Sequence, residues 1–282
     1  MAHGFSLLLI MLSCVAVVAS SDRAAAEEPD QVRATAAATL QAALDHASKH
    51  TDPMQKVAAL SQALATAHRQ VPQNVLIAEM IDKLGRAAGE PRLVAAQWQA
   101  ACAEANELLR FEVLVESPTP DGFPLPTPVG EIRLQRYPAY RLAKTEMTFI
   151  EGRAFWTLFS HIKDQKIAMT APVELTYRSD DAAKKTSMAF LYRNLQQGSA
   201  GKDGNVDVID IPAQTVLSIG VRGDATTSRV ADAKRRLEHW LGQPGQGWEA
   251  NGPLRVFAYN SPFVSDAKKF SEVQIPLQKK AR

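Results

Sequence analysis

Ile132-Arg133-Leu134-Gln135-Arg136-Tyr137-Pro138-Ala139 and Val206-Asp207-Val208-Ile209-Asp210-Ile211-Pro212-Ala213 are one pattern written twice. Aligning the two Pro-Ala steps, an offset of 212 − 138 = 74, sets Ile132, Leu134, Leu142 and Met147 opposite Val206, Val208, Val216 and Val221. Apolar side chains at alternate positions read as a strand with one buried face. Beyond each strand the apolar spacing lengthens to that of a helix: Phe155, Leu158, Phe159 and Ile162 in the first copy, Val230, Ala233, Leu237, Trp240 and Leu241 in the second. Pro172-Val173-Glu174-Leu175-Thr176-Tyr177 then matches Pro253-Leu254-Arg255-Val256-Phe257-Ala258, and closing strands follow at 187–193 and 271–277. The pattern predicts an α+β fold. A duplicated β-α-β-β unit forms a curved antiparallel, barrel-like sheet flanked by two helices, with a groove between the copies.

Upstream the character changes. Residues 117–130 hold Pro118, Pro120, Pro124, Pro126 and Pro128 with Gly122 and Gly130, a composition that cannot continue a helix and resists a strand ladder, and read as a Pro-rich linker or a loop strapped over the surface. From Pro29 to Arg110 the chain is rich in Ala, Leu, Gln and Glu, with breaks at Thr51-Asp52-Pro53, Val71-Pro72 and Gly89-Glu90-Pro91, which predicts an all-α region of four helices. Asp52-Pro53 suits an N-cap followed by proline in the first turn. Val57, Leu60, Leu64 and Ala67 give one buried stripe, while His46, His50 and His68 are scattered on polar faces.

Phe5 to Ala19 is almost entirely apolar and is followed by Ala24-Ala25-Ala26, so residues 1–26 read as an export signal. The expected domains are thus the signal, a helical region over 27–116, the proline-rich stretch 117–130 and a sheet module over 131–278. At roughly 15 residues the apolar run falls short of the ~20 that a membrane span needs. The expected location is periplasmic or extracellular, with an N-terminal membrane anchor as the alternative. With the signal removed, Cys102 is the sole cysteine, so no intramolecular disulfide can form. Charge is −4 over residues 27–116 (8 Lys/Arg, 12 Asp/Glu) and +6 over 117–282 (23 and 17). That excess is too thin and scattered for a nucleic-acid surface.

Ala154-Phe155-Trp156-x-Leu158-Phe159 and Lys166-Ile167-Ala168-Met169-Thr170-Ala171-Pro172-Val173 resemble the SOUL, or heme-binding protein, family over about residues 129–278. The resemblance implies a duplicated fold of the kind predicted above and non-covalent binding of heme or a related tetrapyrrole. A heme is a flat apolar plate that needs a hydrophobic groove, with Lys or Arg for its propionates and an optional axial ligand for its iron. The residues singled out for this role are Arg153, Phe155, Trp156, Phe159, His161, Lys166 and Met169, with His161 as the candidate iron ligand. Turning about 100° per residue puts the centre of the helix's apolar stripe near Phe155 and Ile162, with Trp156 on one flank and His161 on the other. Arg153, Lys163 and Lys166 bracket the helix as propionate partners. Met147 and Met169 suit packing as well as weak ligation. The loop His161-Ile162-Lys163-Asp164-Gln165 is shorter than is usual in the family.

The chain lacks a Gly-x-Ser-x-Gly elbow, a His-Glu-x-x-His site, a phosphate loop and a Cys-x-x-Cys-His heme attachment. Three functions of different class follow: carriage or buffering of heme, binding of other apolar molecules or of a protein partner, and hydrolase-like catalysis on a buried carboxylate such as Glu146, Glu151 or Glu174.

Overall fold

The computed structural model describes residues 13–147, 151–178 and 181–280, with side chains described from residue 30 onward. Residues 1–12 of the expected export signal and the Glu151 side chain lie outside the described residues. Four helices open the chain: α1 (Ser13–Lys49), α2 (Pro53–Gln70), α3 (Val75–Gly85) and α4 (Pro91–Leu109). Each break coincides with a proline or glycine step. The Asp52 side chain accepts from Met54 N at 2.9 Å, which satisfies one of the amides left over at the start of α2. The alanine-rich faces mesh around Leu40, Leu60, Leu64, Ile77 and Cys102, all fully buried. No described helix is long and apolar enough to cross a membrane.

The sheet module follows with β1 (Ile132–Tyr137), β2 (Tyr140–Glu146), α5 (Glu151–Asp164), β3 (Val173–Arg178), β4 (Asp181–Leu191), β5 (Gly201–Asp203), β6 (Val206–Ile211), β7 (Gln214–Arg222), α6 (Thr227–Leu241), β8 (Trp248–Ala250), β9 (Arg255–Ala258) and β10 (Phe270–Lys279). The strands form one antiparallel sheet in the order β1-β7-β10-β9-β3-β4-β2-β6-β5, with β8 on β10; the sheet is not closed. The chain divides into two compact units, one running to Pro72 and resuming over Ile77–Arg110, the other made of Gln73–Leu76 and the chain from Phe111.

One expectation needs correcting. The sequence alone presents Ile132 to Met147 as a single strand, and likewise its counterpart at 206–221. Each is two strands, broken at Pro138-Ala139 and at Pro212-Ala213. Proline has no amide to give a ladder, and here the chain leaves one part of the sheet for another: β1 pairs β7 while β2 pairs β4 and β6. Strands joined by two residues thus lie far apart in the pairing order, which requires a strongly curled sheet.

Helices α5 and α6 cover one face. Ala154, Leu158 and Ile162 of α5 and Val230, Ala233 and Leu237 of α6 are buried against Leu175, Phe190, Leu217, Val256 and Val273. Residues 117–130 lie on the other face as a strap. Thr127 donates its amide to Glu272 at 2.8 Å, Arg193 donates to the Thr119 carbonyl at 2.9 Å, and Gln135 donates to the Leu125 carbonyl at 3.0 Å. Gly220 permits the approach: a Cβ there would stand 2.2 Å from the Thr127 carbonyl oxygen.

Candidate functional site

Helix α5 is amphipathic, and its aromatic residues run from the flank of its buried stripe, where Phe155 packs on the core, out to solvent at Trp156 and Phe159. Phe155 is half-buried and meets Phe190 of β4 edge-on at 5.2 Å, which fixes its ring to the sheet. Phe159 stacks on Phe155 at 6.1 Å, and Trp156 stands edge-on to both at 5.6 Å. Trp156 is 63% exposed and Phe159 37%. Three rings on two turns of one helix thus form an apolar platform with one end rooted in the core and the other in solvent. Buried aromatics pack a fold; exposed and mutually stacked ones mark a surface that something apolar covers.

Arg153, Lys163 and Lys166 are exposed around the platform. Arg153 and Lys166 lie near opposite ends of α5, about 20 Å apart along the chain at 1.5 Å per residue. A ligand with two carboxylates on one edge can reach one end and not both. Lys166 closes the helix with φ 56°, while its amide donates to the Lys163 carbonyl and the Ile167 amide to the Ile162 carbonyl at 2.8 Å. This is the left-handed ending that glycine usually supplies.

His161 is 7% exposed and points inward. Its Nδ1 is 2.8 Å from an Asp203 carboxylate oxygen and its Nε2 2.8 Å from the Tyr192 hydroxyl. Both ring nitrogens are therefore engaged inside the protein, and His161 presents no lone pair to a ligand on the aromatic platform. Burial holds the Tyr192 hydroxyl above the ordinary tyrosine range, so it stays protonated. Met169 and Met147 are half-buried against the core beneath the helices. The structure thus brings Phe155, Trp156 and Phe159 together, leaves the three cations around them, and turns His161 and Met169 inward. Neither Tyr192 nor Asp203 was legible as a partner of His161, because they lie 31 and 42 residues away in sequence.

On the strap side stands a polar cluster of which the sequence marked only Glu174. Glu272 is fully buried and accepts from Thr127 N, Ser218 Oγ and Tyr259 OH at 2.8, 3.0 and 2.6 Å, with Tyr137 and Gln274 farther out at 3.5 and 3.4 Å. Arg255, 5% exposed, donates to Gln274 at 2.9 Å and to Tyr140 OH at 2.7 Å. Glu174, one of the three carboxylates singled out, accepts from Tyr140 OH at 3.3 Å; Glu146 is exposed. Burial pushes the Tyr140 and Tyr259 hydroxyls well above their ordinary value, so both remain hydrogen-bond donors. Among the described residues no group of three or more His, Cys, Asp or Glu side chains is placed to hold a metal ion.

The model of the family described as SOUL heme-binding protein matches residues 127–276. No curated protein matches the chain. Solved structures similar to it include the C-terminal domain of EcmrR, 16% identical with a TM-score of 0.41, covering 53% of this chain and 98% of that one. A hydrolase from Listeria innocua is 10% identical with a TM-score of 0.41, covering 54% and 93%. SAV2435 bound to tetraphenylphosphonium is 13% identical with a TM-score of 0.32, covering 52% and 94%.

Proposed function

This chain belongs to the SOUL heme-binding protein family, and on that premise we propose that it carries or buffers heme, or a related tetrapyrrole, on the outer face of α5 in an exported compartment, periplasmic or extracellular. The observation that carries the reading is the stacked and exposed Phe155-Trp156-Phe159 platform. A porphyrin is large, flat and apolar, and three rings anchored at one end and bare at the other offer it area without rearrangement of the core. Lys163 and Lys166 at one end of the helix, or Arg153 at the other, supply a cation for the propionates. With His161 and Met169 turned inward, burial of the plate supplies most of the affinity, and iron ligation is secondary. The apolar run Phe5–Ala19 supports the exported setting.

Hemin titration of the full chain, read at the Soret band, tests this. Trp156→Ala should weaken binding about tenfold, the loss of one large stacking surface. His161→Ala should leave the Soret position where it is in the wild type. A Soret shift in that variant would restore His161 as the axial ligand. Hemin binding no tighter than to an unrelated protein of similar charge would hand the platform to another apolar molecule or to a protein partner.

A further inference from the structure

The strap explains Glu272, whose carboxylate receives the Thr127 amide, but it does not explain Arg255. No strap group bonds to that guanidinium. Its Nε goes to Gln274 and its Nη1 to Tyr140, with Glu174 at 3.6 Å, while its Nη2 is buried and has no partner. An orphaned charged donor in a protein interior costs stability, and such groups cluster where something else completes them.

The donor stands among aromatic rings that one ring of the strap also packs on. The Arg255 guanidinium is stacked on Phe257 at 4.7 Å and faces Tyr137 at 5.6 Å. Phe123 of the strap sits on the same residues, edge-on to Tyr137 at 4.9 Å and to Tyr140 at 5.2 Å and parallel to Phe257 at 6.3 Å. The three rings beneath are buried, whereas Phe123 is half-buried. The strap is pinned on both sides of it, by Arg193 at Thr119 and Asp121 and by Gln135 and Glu272 at Leu125 and Thr127. Phe123 itself stands at the end of a tight turn closed by its amide on the Pro120 carbonyl at 3.2 Å, beside Gly122 at φ +75°.

We propose that the sheet face under Phe123 is a second ligand site, distinct from the aromatic platform of α5. Its ligand is a flat aromatic molecule bearing an uncharged carbonyl oxygen. The aromatic part replaces the Phe123 ring between Tyr137, Tyr140 and Phe257, and the oxygen accepts from Arg255 Nη2. An anionic acceptor is disfavoured because Glu174 and Glu272 already outnumber Arg255 in the cluster. An aliphatic one would forfeit the edge-to-face contacts that Phe123 makes.

The test uses the full chain with 1-indanone, a single ring fused to a ketone, and with indane, the same skeleton without the oxygen. Saturation-transfer NMR and calorimetry should show saturable binding of 1-indanone to the wild type, with indane at least fivefold weaker. Phe123→Ala removes the competing ring and should tighten 1-indanone several-fold while keeping the preference for the ketone. Trp156→Ala, on α5, should leave indanone affinity unchanged, which separates this site from the heme reading. Equal affinity for the two ligands in both proteins would reduce the site to a greasy hole and overturn the proposal. So would failure of the wild type to bind 1-indanone at all.

Discussion

Two faces of one sheet are covered in different ways. The face under α5 and α6 is mostly apolar, with Leu175, Phe190, Leu217, Val256 and Val273 meeting Leu158, Ile162, Val230 and Leu237. The face under the strap carries Glu272, Gln274, Arg255, Glu174 and Ser218 on the same strands. A helix satisfies its own backbone and asks its partner only for apolar area. A proline-rich strap forms no internal ladder, so its amides and carbonyls must find partners in the surface beneath or be buried unpaired. Side chains of the underlying strands therefore become the strap's hydrogen-bonding groups. The lesson is that the covering element dictates the chemistry of the face, as much as the face selects its cover.

Substitutions can break that contrast. On the helix side, Leu237→Ala should cost about 4 kcal/mol, since a fully buried leucine leaves both its transfer energy and a cavity behind. Native-state hydrogen exchange at amides of β7 and β10 would read it; a loss below about 1 kcal/mol would mean α6 is not what holds that face. On the strap side, Gly220→Ala should cost about 3 kcal/mol by driving a methyl group into the Thr127 and Pro128 carbonyls. The same exchange measurement should show protection lost at Thr127 and Gly130 first. Glu272→Gln puts amide hydrogens where Thr127, Ser218 and Tyr259 need an acceptor, and should cost about 2 kcal/mol. If Gln were as stable as Glu under urea, the polar face would be mere filling.

Two smaller effects sharpen the comparison at its rims. Lys166→Gly should raise stability by up to about 1 kcal/mol, because glycine reaches the left-handed ending of α5 without strain. A lower melting temperature in that variant would show that the lysine side chain contributes more than its backbone costs. Asp266 belongs to neither face. Its exposed carboxylate is held at about 2, first by the Arg229 hydrogen bonds and then by the Asp224 amide. A carboxyl depressed in the folded state contributes its stability above the unfolded value near 4, and that contribution is lost as pH falls from about 4 toward 2. Acid titration of stability should therefore be flatter in Asp266→Asn over that window.

How much of this was legible follows from how far each signal travels along the chain. Helix breaks at Asp52-Pro53 and Glu90-Pro91 are local, since a proline and the residue before it act on their own neighbours, and α2 and α4 start at those steps. The stripe of α5 is equally local, and it set Trp156 on an outer flank. The two Pro-Ala steps were visible, but alternation in 132–147 is the same for one strand as for two, so the crossing between parts of the sheet was not. Alternation in β10 marks Glu272 and Gln274 as one face; nothing nearby says that a strap about 145 residues upstream covers it. The partners of His161 were hidden for the same reason, being remote in sequence.

The crossings at Pro138-Ala139 and Pro212-Ala213 also set a timetable. Ile132 pairs with Ile219, so β1 leaves the ribosome roughly 90 residues ahead of the strand that completes it. At ordinary elongation rates that is on the order of ten seconds with an open strand edge. Neither half can finish its own hydrogen bonding, and a chain interrupted after β4 would expose the edges of β2 and β3 that β6 and β9 later cover. Nascent chains stalled before Ile219 should accordingly be cut by protease within the sheet module, and chains stalled far enough past Lys279 for β10 to clear the exit tunnel should resist.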